Sequence, residues 1–73
     1  MTTKTKSAKE LRNYNRLIKT LDRIESGRWS ELTVFDEVHW CSDYTLWLYK
    51  WGKITKEEMN SLCERITAIW ELI

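Results

Sequence analysis

The segment from Thr33 to Trp51 constrains the fold of this 73-residue chain more than any other feature. It reads TVFDEVHWCSDYTLWLYKW and holds three of the five tryptophans. At about 100° per residue, one half of a helix formed by this segment is apolar, with Val34, Val38, Trp40, Cys41, Tyr44, Trp47, Leu48 and Trp51 on it. Phe35, Leu46 and Tyr49 add an apolar flank, which leaves a narrow polar stripe of Asp36, His39, Asp43 and Lys50. A helix that is apolar nearly all round is normally enclosed by others, and a short chain has few others to offer, so the pattern also points to a partner surface.

Length and composition indicate one small helical domain. Chains of this size bury only about 60% of the surface that their unfolded form exposes, so their stability is marginal without further help. Proline is absent and glycine occurs only at positions 27 and 52, which suits long helices separated by two breaks. Two cysteines are too few for a disulfide scaffold, and no apolar run approaches the roughly 18 residues of a membrane span. We therefore expect a cytoplasmic protein with reduced thiols and no membrane partner.

The apolar spacing predicts an all-α fold, a three-helix bundle. Helix 1 is expected over residues 8–26, helix 2 over 33–51 and helix 3 over 56–72. Residues 1–6 are expected to form a disordered basic tail, and residues 7–73 a single helical domain. Because only a short loop joins helices 2 and 3, they form an antiparallel hairpin, across which helix 1 packs.

Capping patterns place the helix ends. The capping-box pattern, in which a Ser or Thr and an acidic residue three positions later cap each other's backbone, occurs at Ser7–Glu10, Thr33–Asp36 and Thr55–Glu58. Ile54 and Met59 occupy the positions of a hydrophobic staple around the third box. Gly27 and Gly52 are expected to terminate helices 1 and 2. Two alternatives stay open for the middle segment: a short strand over residues 32–40, because apolar residues alternate there, and a break of helix 2 near Ser42 and Asp43.

Two stripes of helix 2 compete for the core. The aromatic stripe consists of Trp40, Tyr44, Trp47 and Trp51, at steps of four, three and four residues. The aliphatic stripe beside it consists of Val34, Val38, Cys41 and Leu48. Either both stripes are core, or one is exposed as an anchor for a partner, since Trp and Tyr dominate binding hot spots. Spacing leaves open which stripe faces inward.

Charge is distributed asymmetrically along the chain. Residues 1–28 hold eight Lys/Arg against three Asp/Glu, and residues 29–73 hold four against eight. On helix 1 the basic residues fall within a narrow arc opposite the apolar side; this basic face is Lys9, Arg12, Arg16, Lys19 and Arg23. Such a row would neutralise several phosphates, or steer the protein to an acidic protein surface, or be an ordinary solvated face.

The sequence offers little for catalysis or metal binding. Cys41 and Cys63 lie eleven residues either side of Gly52, hence at similar heights in the hairpin. With His39 they make only three ligands, too few for a closed zinc site, so buried free thiols are expected. No Ser or Cys shares the face of His39 to act as a nucleophile. We therefore expect no enzymatic activity, no cofactor and no metal.

The stretch from Trp40 to Glu58 combines a Trp-rich helix, a Trp-Gly turn and a Thr-capped acidic helix. In this texture, which extends over roughly residues 33–70, the chain resembles short accessory proteins encoded by phages and mobile elements of Gram-positive bacteria, some of which are anti-CRISPR inhibitors. The resemblance implies a bacterial, intracellular setting and a non-enzymatic inhibitor or adaptor role. It carries over no functional residues.

These observations predict a small protein–protein interaction module that binds a larger bacterial host protein or complex. The aromatic stripe would supply the anchor, and the basic face would supply orientation and association rate. The alternative is a nucleic-acid-binding regulator that uses the basic face. Self-association through the aromatic stripe, as an antiparallel two-fold homodimer, is compatible with either function.

Overall fold

The computed structural model describes residues 11–73, which form three α-helices in a bundle. These are α1 (Arg12–Glu25), α2 (Val34–Lys50) and α3 (Lys56–Leu72). The all-α three-helix prediction is thereby confirmed. The described residues contain no strand, and α2 runs unbroken through Ser42 and Asp43, so neither alternative for the middle segment holds.

Helix α1 begins later than predicted. Leu11 is the residue that precedes it, and its backbone is extended, with φ −85° and ψ 134°. An extended residue cannot belong to the helix, so the expected start at residue 8 is wrong by about one turn. The predicted box at Ser7–Glu10, the residue 1–6 tail and Lys9 of the basic face lie outside the described residues.

Both glycines end a helix in the way the sequence predicts. Gly27 has φ 86° and Gly52 has φ 69°, in the left-handed region that glycine enters at little cost. After α1, the Arg28 amide donates to the Arg23 carbonyl at 3.0 Å; after α2, the Lys53 amide donates to the Leu48 carbonyl at 2.8 Å. These six-to-one bonds are those of a Schellman motif, and they satisfy carbonyls that the helix leaves free.

The two threonine caps differ. At α3, Thr55 Oγ1 accepts from the Glu58 amide at 3.1 Å and Glu58 Oε1 accepts from the Thr55 amide at 3.0 Å, so the predicted box forms. At α2, Thr33 caps no backbone amide and the predicted Thr33–Asp36 box is wrong. The Thr33 backbone, at φ −125° and ψ −13°, lacks the extended conformation in which a side chain reaches back over the helix start.

The core lies between the three helices and is centred on α2. Its fully buried side chains include Leu17, Leu21 and Ile24 of α1 and the whole aliphatic stripe of α2. From α3 come Leu62, Ile66 and Ile69, and Ile54 closes the core beneath the α2–α3 turn. Rings near the start of α2 and the end of α3 touch, Phe35 stacking on Trp70 at 5.7 Å, so the two helices are antiparallel as predicted.

One cluster of charges joins α1 to α3. The Arg65 guanidinium donates to Asp22 at 2.8 Å and to both Glu25 carboxylate oxygens, at 2.6 and 3.0 Å. The hydrogen bonds that the Glu25 carboxylate accepts from Arg65 are the largest reason that the pKa of Arg65 lies above its usual value. This bidentate arrangement directs Glu25 toward α3.

Within residues 11–73, no helix has both the length and the hydropathy that crossing a bilayer requires.

Candidate protein-interaction surface

Helix α2 carries three parallel stripes, each stepping by three and four residues. The middle one is the aliphatic stripe, joined by Thr45, and all of it is buried. The aromatic stripe lies one position earlier along the helix, on the α1 side. A third stripe lies one position later, on the α3 side, and we call it the flank stripe: Phe35, His39, Ser42, Leu46 and Tyr49. The aliphatic stripe therefore faces inward, which answers the question that spacing left open.

The four rings of the aromatic stripe follow one another along α2, the first three stacked and the fourth tilted. Trp40 and Tyr44 are stacked with centroids 5.3 Å apart and planes 6° from parallel, and Tyr44 and Trp47 are stacked at 5.7 Å and 11°. Trp51 follows Trp47 at 6.3 Å, tilted by 47°. Offset stacking at these distances is favourable for aromatic rings, so the stripe presents a pre-ordered surface.

Exposure increases along this stack from its start to its end. Trp40 and Tyr44 are half-buried against the core, and burial raises the pKa of Tyr44 above its ordinary value. Trp47 is 44% exposed and Trp51 is 61% exposed. The stripe is therefore neither fully core nor fully free, because its first half packs on the bundle and its second half lies in solvent.

The basic face of α1 borders the aromatic stripe, and two of its arginines contact α2. The Arg16 guanidinium lies 4.7 Å from the centroid of Trp40, in a cation–π contact. Arg23 forms an ion pair with Glu37 of α2 and donates to the Arg28 carbonyl at 3.0 Å. The expected row of unopposed positive charge is thus interrupted, because Arg23 is neutralised by a carboxylate from the neighbouring helix. Arg12, Arg16 and Lys19 remain exposed.

Side chains of α1 and α2 together line an open groove, which we call the α1–α2 groove. Its larger part, about 630 Å³, is lined by Leu11, Arg12, Asn13, Trp40, Asp43, Tyr44 and Trp47. A smaller part, about 190 Å³, is lined by Arg16, Thr20, Asp36, Glu37 and Trp40. The groove has an aromatic floor and charges of both signs. Sequence reasoning missed Leu11 and Asn13, since only helix packing brings them to the aromatic stripe. It also missed Asp43, although helical spacing from Trp40 and Trp47 could have found it.

The thiols and the histidine do not form a site. Cys41 is fully buried, and its burial, followed by the nearby Glu37 charge, raises its pKa to about 11. Cys63 is only half-buried, so the expectation of two buried thiols is wrong for it: it lines an open depression formed by α3 side chains. The His39 ring meets the ring of Trp70 edge-on at 5.2 Å. Nowhere in residues 11–73 do three His, Cys, Asp or Glu side chains converge as metal ligands would.

No protein-family model matches the chain, and comparisons with curated proteins and with solved structures give no significant match.

Proposed function

We propose that this chain is a small non-enzymatic protein–protein interaction module whose aromatic stripe docks on a larger protein. One observation carries the proposal: three rings are stacked in a fixed order beside a groove, the fourth ring, Trp51, is tilted against Trp47, and Trp47 and Trp51 expose 44% and 61% of their surface. Exposed indoles on a rigid helix offer a large apolar area at a low cost in conformational entropy, which is why Trp and Tyr dominate interface hot spots.

The charges around the stripe suit a partner surface of mixed sign. Arg12 and Arg16 line the α1 side of the groove, and Asp36 and Asp43 line the α2 side. Complementary charges on the partner would fix its orientation and speed its association, while the rings supply most of the affinity. Trp51, at the exposed end of the stack, is the strongest candidate for insertion into a pocket of the partner.

The same features count against the alternative of a nucleic-acid-binding regulator. Proteins that bind single strands use free ring faces on which bases stack, whereas Tyr44 has a ring against each of its two faces and Trp40 has Arg16 over its own ring. Carboxylates of Asp36, Glu37 and Asp43 line the same groove and repel phosphates. These contacts favour a protein over a nucleic acid as the partner.

Blocking a functional surface of the target is the mode of action that we propose for this module. A rigid bundle of this size would act by occupying space on the target. The resemblance of residues 33–70 to accessory proteins of phages and mobile elements supports a bacterial setting. The target would then be a larger bacterial protein in the cytoplasm, and the chain would act as an inhibitor of the anti-CRISPR type.

Affinity capture from bacterial lysate, with and without nuclease, tests this proposal. The tagged wild-type chain is compared with the double variant Trp47→Ala/Trp51→Ala and with Leu32→Ala/Leu72→Ala, which also removes two exposed apolar side chains but lies outside the aromatic stripe. We expect one protein to be retained in near-equal amount after nuclease treatment, to be lost with the tryptophan variant and to be kept by the control.

Two results would overturn the proposal. If recovery disappears with nuclease and with Arg12→Glu/Lys19→Glu, the basic face binds nucleic acid. If the tryptophan variant loses its helical circular dichroism, the rings are structural and their exposed edges are not an anchor.

A further inference from the structure

The two sides of the α1–α2 groove carry exposed charges of opposite sign. Arg12 of α1 and Asp43 of α2 line its larger part, and Arg16 and Asp36 line its smaller part. We call the two arginines the basic rim and the two aspartates the acidic rim. Within residues 11–73, no ion pair joins one rim to the other. The groove therefore holds opposite charges apart instead of pairing them.

Aromatic rings form the floor between the two rims. Trp40, Tyr44 and Trp47 line the groove beside the charged residues, so whatever covers these rings also displaces water from both rims. An occupant that is only apolar would leave those charges desolvated and unpaired, which is costly. The favoured occupant brings acidic groups to the basic rim and basic groups to the acidic rim.

The spacing of the groove residues matches a helix better than an extended strand. Asp36 and Asp43 are seven residues apart, about 10.5 Å along α2, and residues seven apart on a second helix repeat that distance. Residues on one face of a strand recur about every 6.6 Å, so none falls near 10.5 Å. The floor rings follow at 5.3 Å from Trp40 to Tyr44 and 5.7 Å from Tyr44 to Trp47, close to the helical pitch of about 5.4 Å.

We propose that the α1–α2 groove binds an amphipathic helix of the partner that has one acidic edge and one basic edge. Its apolar stripe would cover Tyr44 and Trp47, its acidic edge would face the basic rim, and its basic edge would face the acidic rim. Helices bind such grooves through apolar residues three and four positions apart. This assignment rests on the proposed function, because it names the part of the partner on which the aromatic stripe docks.

Rims of opposite sign also fix the direction of the bound helix. Turning a helix end to end, with its apolar stripe still on the floor, exchanges its two edges. A helix with one acidic and one basic edge therefore pairs with both rims in one direction and meets like charges in the other. A groove with two rims of the same sign would not distinguish the two directions.

Synthetic helical peptides of about five turns test the proposal. Three peptides share one stripe of leucines and lack tryptophan; the mixed peptide has Glu along one edge and Lys along the other, the second has Glu along both edges, and the third has Lys along both. Titration of the full chain, followed by its tryptophan fluorescence, should give the mixed peptide a dissociation constant at least about tenfold lower than either same-sign peptide. Equal constants for all three, or no binding of the mixed peptide, would overturn the inference.

Reversing one charge of the acidic rim should change which peptide is preferred. Asp43→Lys makes both sides of the larger part of the groove basic, so we expect the preference to move from the mixed peptide to the all-Glu peptide. Glu64→Lys, the same kind of change at an exposed α3 position outside the groove, is the matched control and should keep the wild-type preference. An unchanged preference in Asp43→Lys, or an equal shift in the control, would contradict the proposal.

A milder variant covers the case in which lysine at position 43 unfolds the chain, which circular dichroism would reveal. Asp43→Asn removes the charge without adding another, so it should reduce the advantage of the mixed peptide over the all-Glu peptide. An advantage that stays at its wild-type size would count against a role for the acidic rim.

Failure of this inference is distinguishable from failure of the proposed function. Lysate capture that depends on Trp47 and Trp51, together with peptides that the chain does not discriminate, would keep the interaction module and reject a helix as its docking element. Capture that survives loss of both tryptophans would reject the proposed function itself. Sedimentation of the chain alone tests a second copy as the occupant: a dimer that Arg12→Glu dissociates would overturn the assignment to a partner helix.

Discussion

Arg16 of α1 holds its guanidinium 4.7 Å from the ring centroid of Trp40, the first indole of the aromatic stripe on α2. The contact joins the basic face to the stack of rings. It also closes the half-buried end of the stack, so that the opposite end, at Trp51, is the one that faces solvent. Helix α1 therefore takes part in ordering the surface that we propose as the anchor.

Removing this cation should loosen the contact between α1 and α2. We expect Arg16→Ala to lower the free energy of unfolding by about 0.5–1 kcal/mol, the range of exposed cation–π pairs. Lys19→Ala, one turn away and without an aromatic partner in the described residues, should stay within about 0.5 kcal/mol of wild type. Urea unfolding followed by far-ultraviolet circular dichroism measures both; equal losses would show that the Arg16–Trp40 contact contributes nothing.

The two threonines that precede α2 and α3 should respond differently to the same substitution. Thr55 accepts a hydrogen bond from the Glu58 amide, so Thr55→Ala should cost about 1 kcal/mol. Thr33 caps no amide, and its Oγ1 only donates to the Glu37 side chain at 3.2 Å on the surface. Thr33→Ala should therefore cost less than about 0.5 kcal/mol. Thermal unfolding of the pair checks the difference, and a larger loss at Thr33 would contradict this account of the α2 start.

The Arg65 cluster should make stability depend on salt. Its side chain is 30% exposed and its partners are more so, so solvent weakens the pairing and Arg65→Ala should cost only about 1 kcal/mol. Arg65→Lys keeps the charge but loses the bidentate geometry to Glu25, so we expect it to recover only part of that loss. The difference between wild type and Arg65→Ala should shrink at high salt; a difference that salt leaves unchanged would instead indicate lost packing of the side chain.

The two thiols should differ in reactivity. Cys63 is half-buried, whereas Cys41 is fully buried and has a pKa raised from 9.0 to about 11. At neutral pH an alkylating reagent should therefore modify Cys63 well before Cys41. Equal labelling rates would contradict the burial of Cys41.

The raised pKa of Cys41 should also make stability depend on alkaline pH. Because folded Cys41 keeps its proton where the unfolded chain loses it, its contribution to stability is complete below about pH 9 and is lost as the pH rises toward 11. Cys41→Ala should remove that part of the loss of stability at alkaline pH, whereas Cys63→Ala should retain it.

Capping patterns in the sequence predict those helix ends that depend only on neighbouring residues. The start of α3 was predicted to the residue, because the Thr55–Glu58 box coincides with a break after Gly52 and with apolar residues on both sides. The similar pattern at Thr33–Asp36 predicted a box that does not form, since the Ser30 carbonyl accepts from the Val34 amide at 2.9 Å and turns the chain before Thr33. Spacing alone does not reveal such competition between adjacent turns.

Features that depend on how the helices pack could not be predicted from the sequence. The aromatic and aliphatic stripes have the same periodicity, and size decides between them: small residues such as Val34, Cys41 and Thr45 let three short helices approach, whereas indoles would hold them apart. Similarly, the Arg23–Glu37 pair joins residues fourteen positions apart on different helices. The basic face could be read from α1, but its partial neutralisation could not.

The aromatic stack also gives the molecule an optical property of its own. Four chromophores follow one another along α2 at centroid distances of 5.3, 5.7 and 6.3 Å, close enough for their electronic transitions to couple and to produce a circular dichroism signal that isolated rings lack. Trp51, at the solvent end, is 61% exposed, so it should emit as a hydrated indole until something covers it. Binding of a partner to the surface that we propose for docking can thus be followed by intrinsic fluorescence and circular dichroism, without attaching a dye.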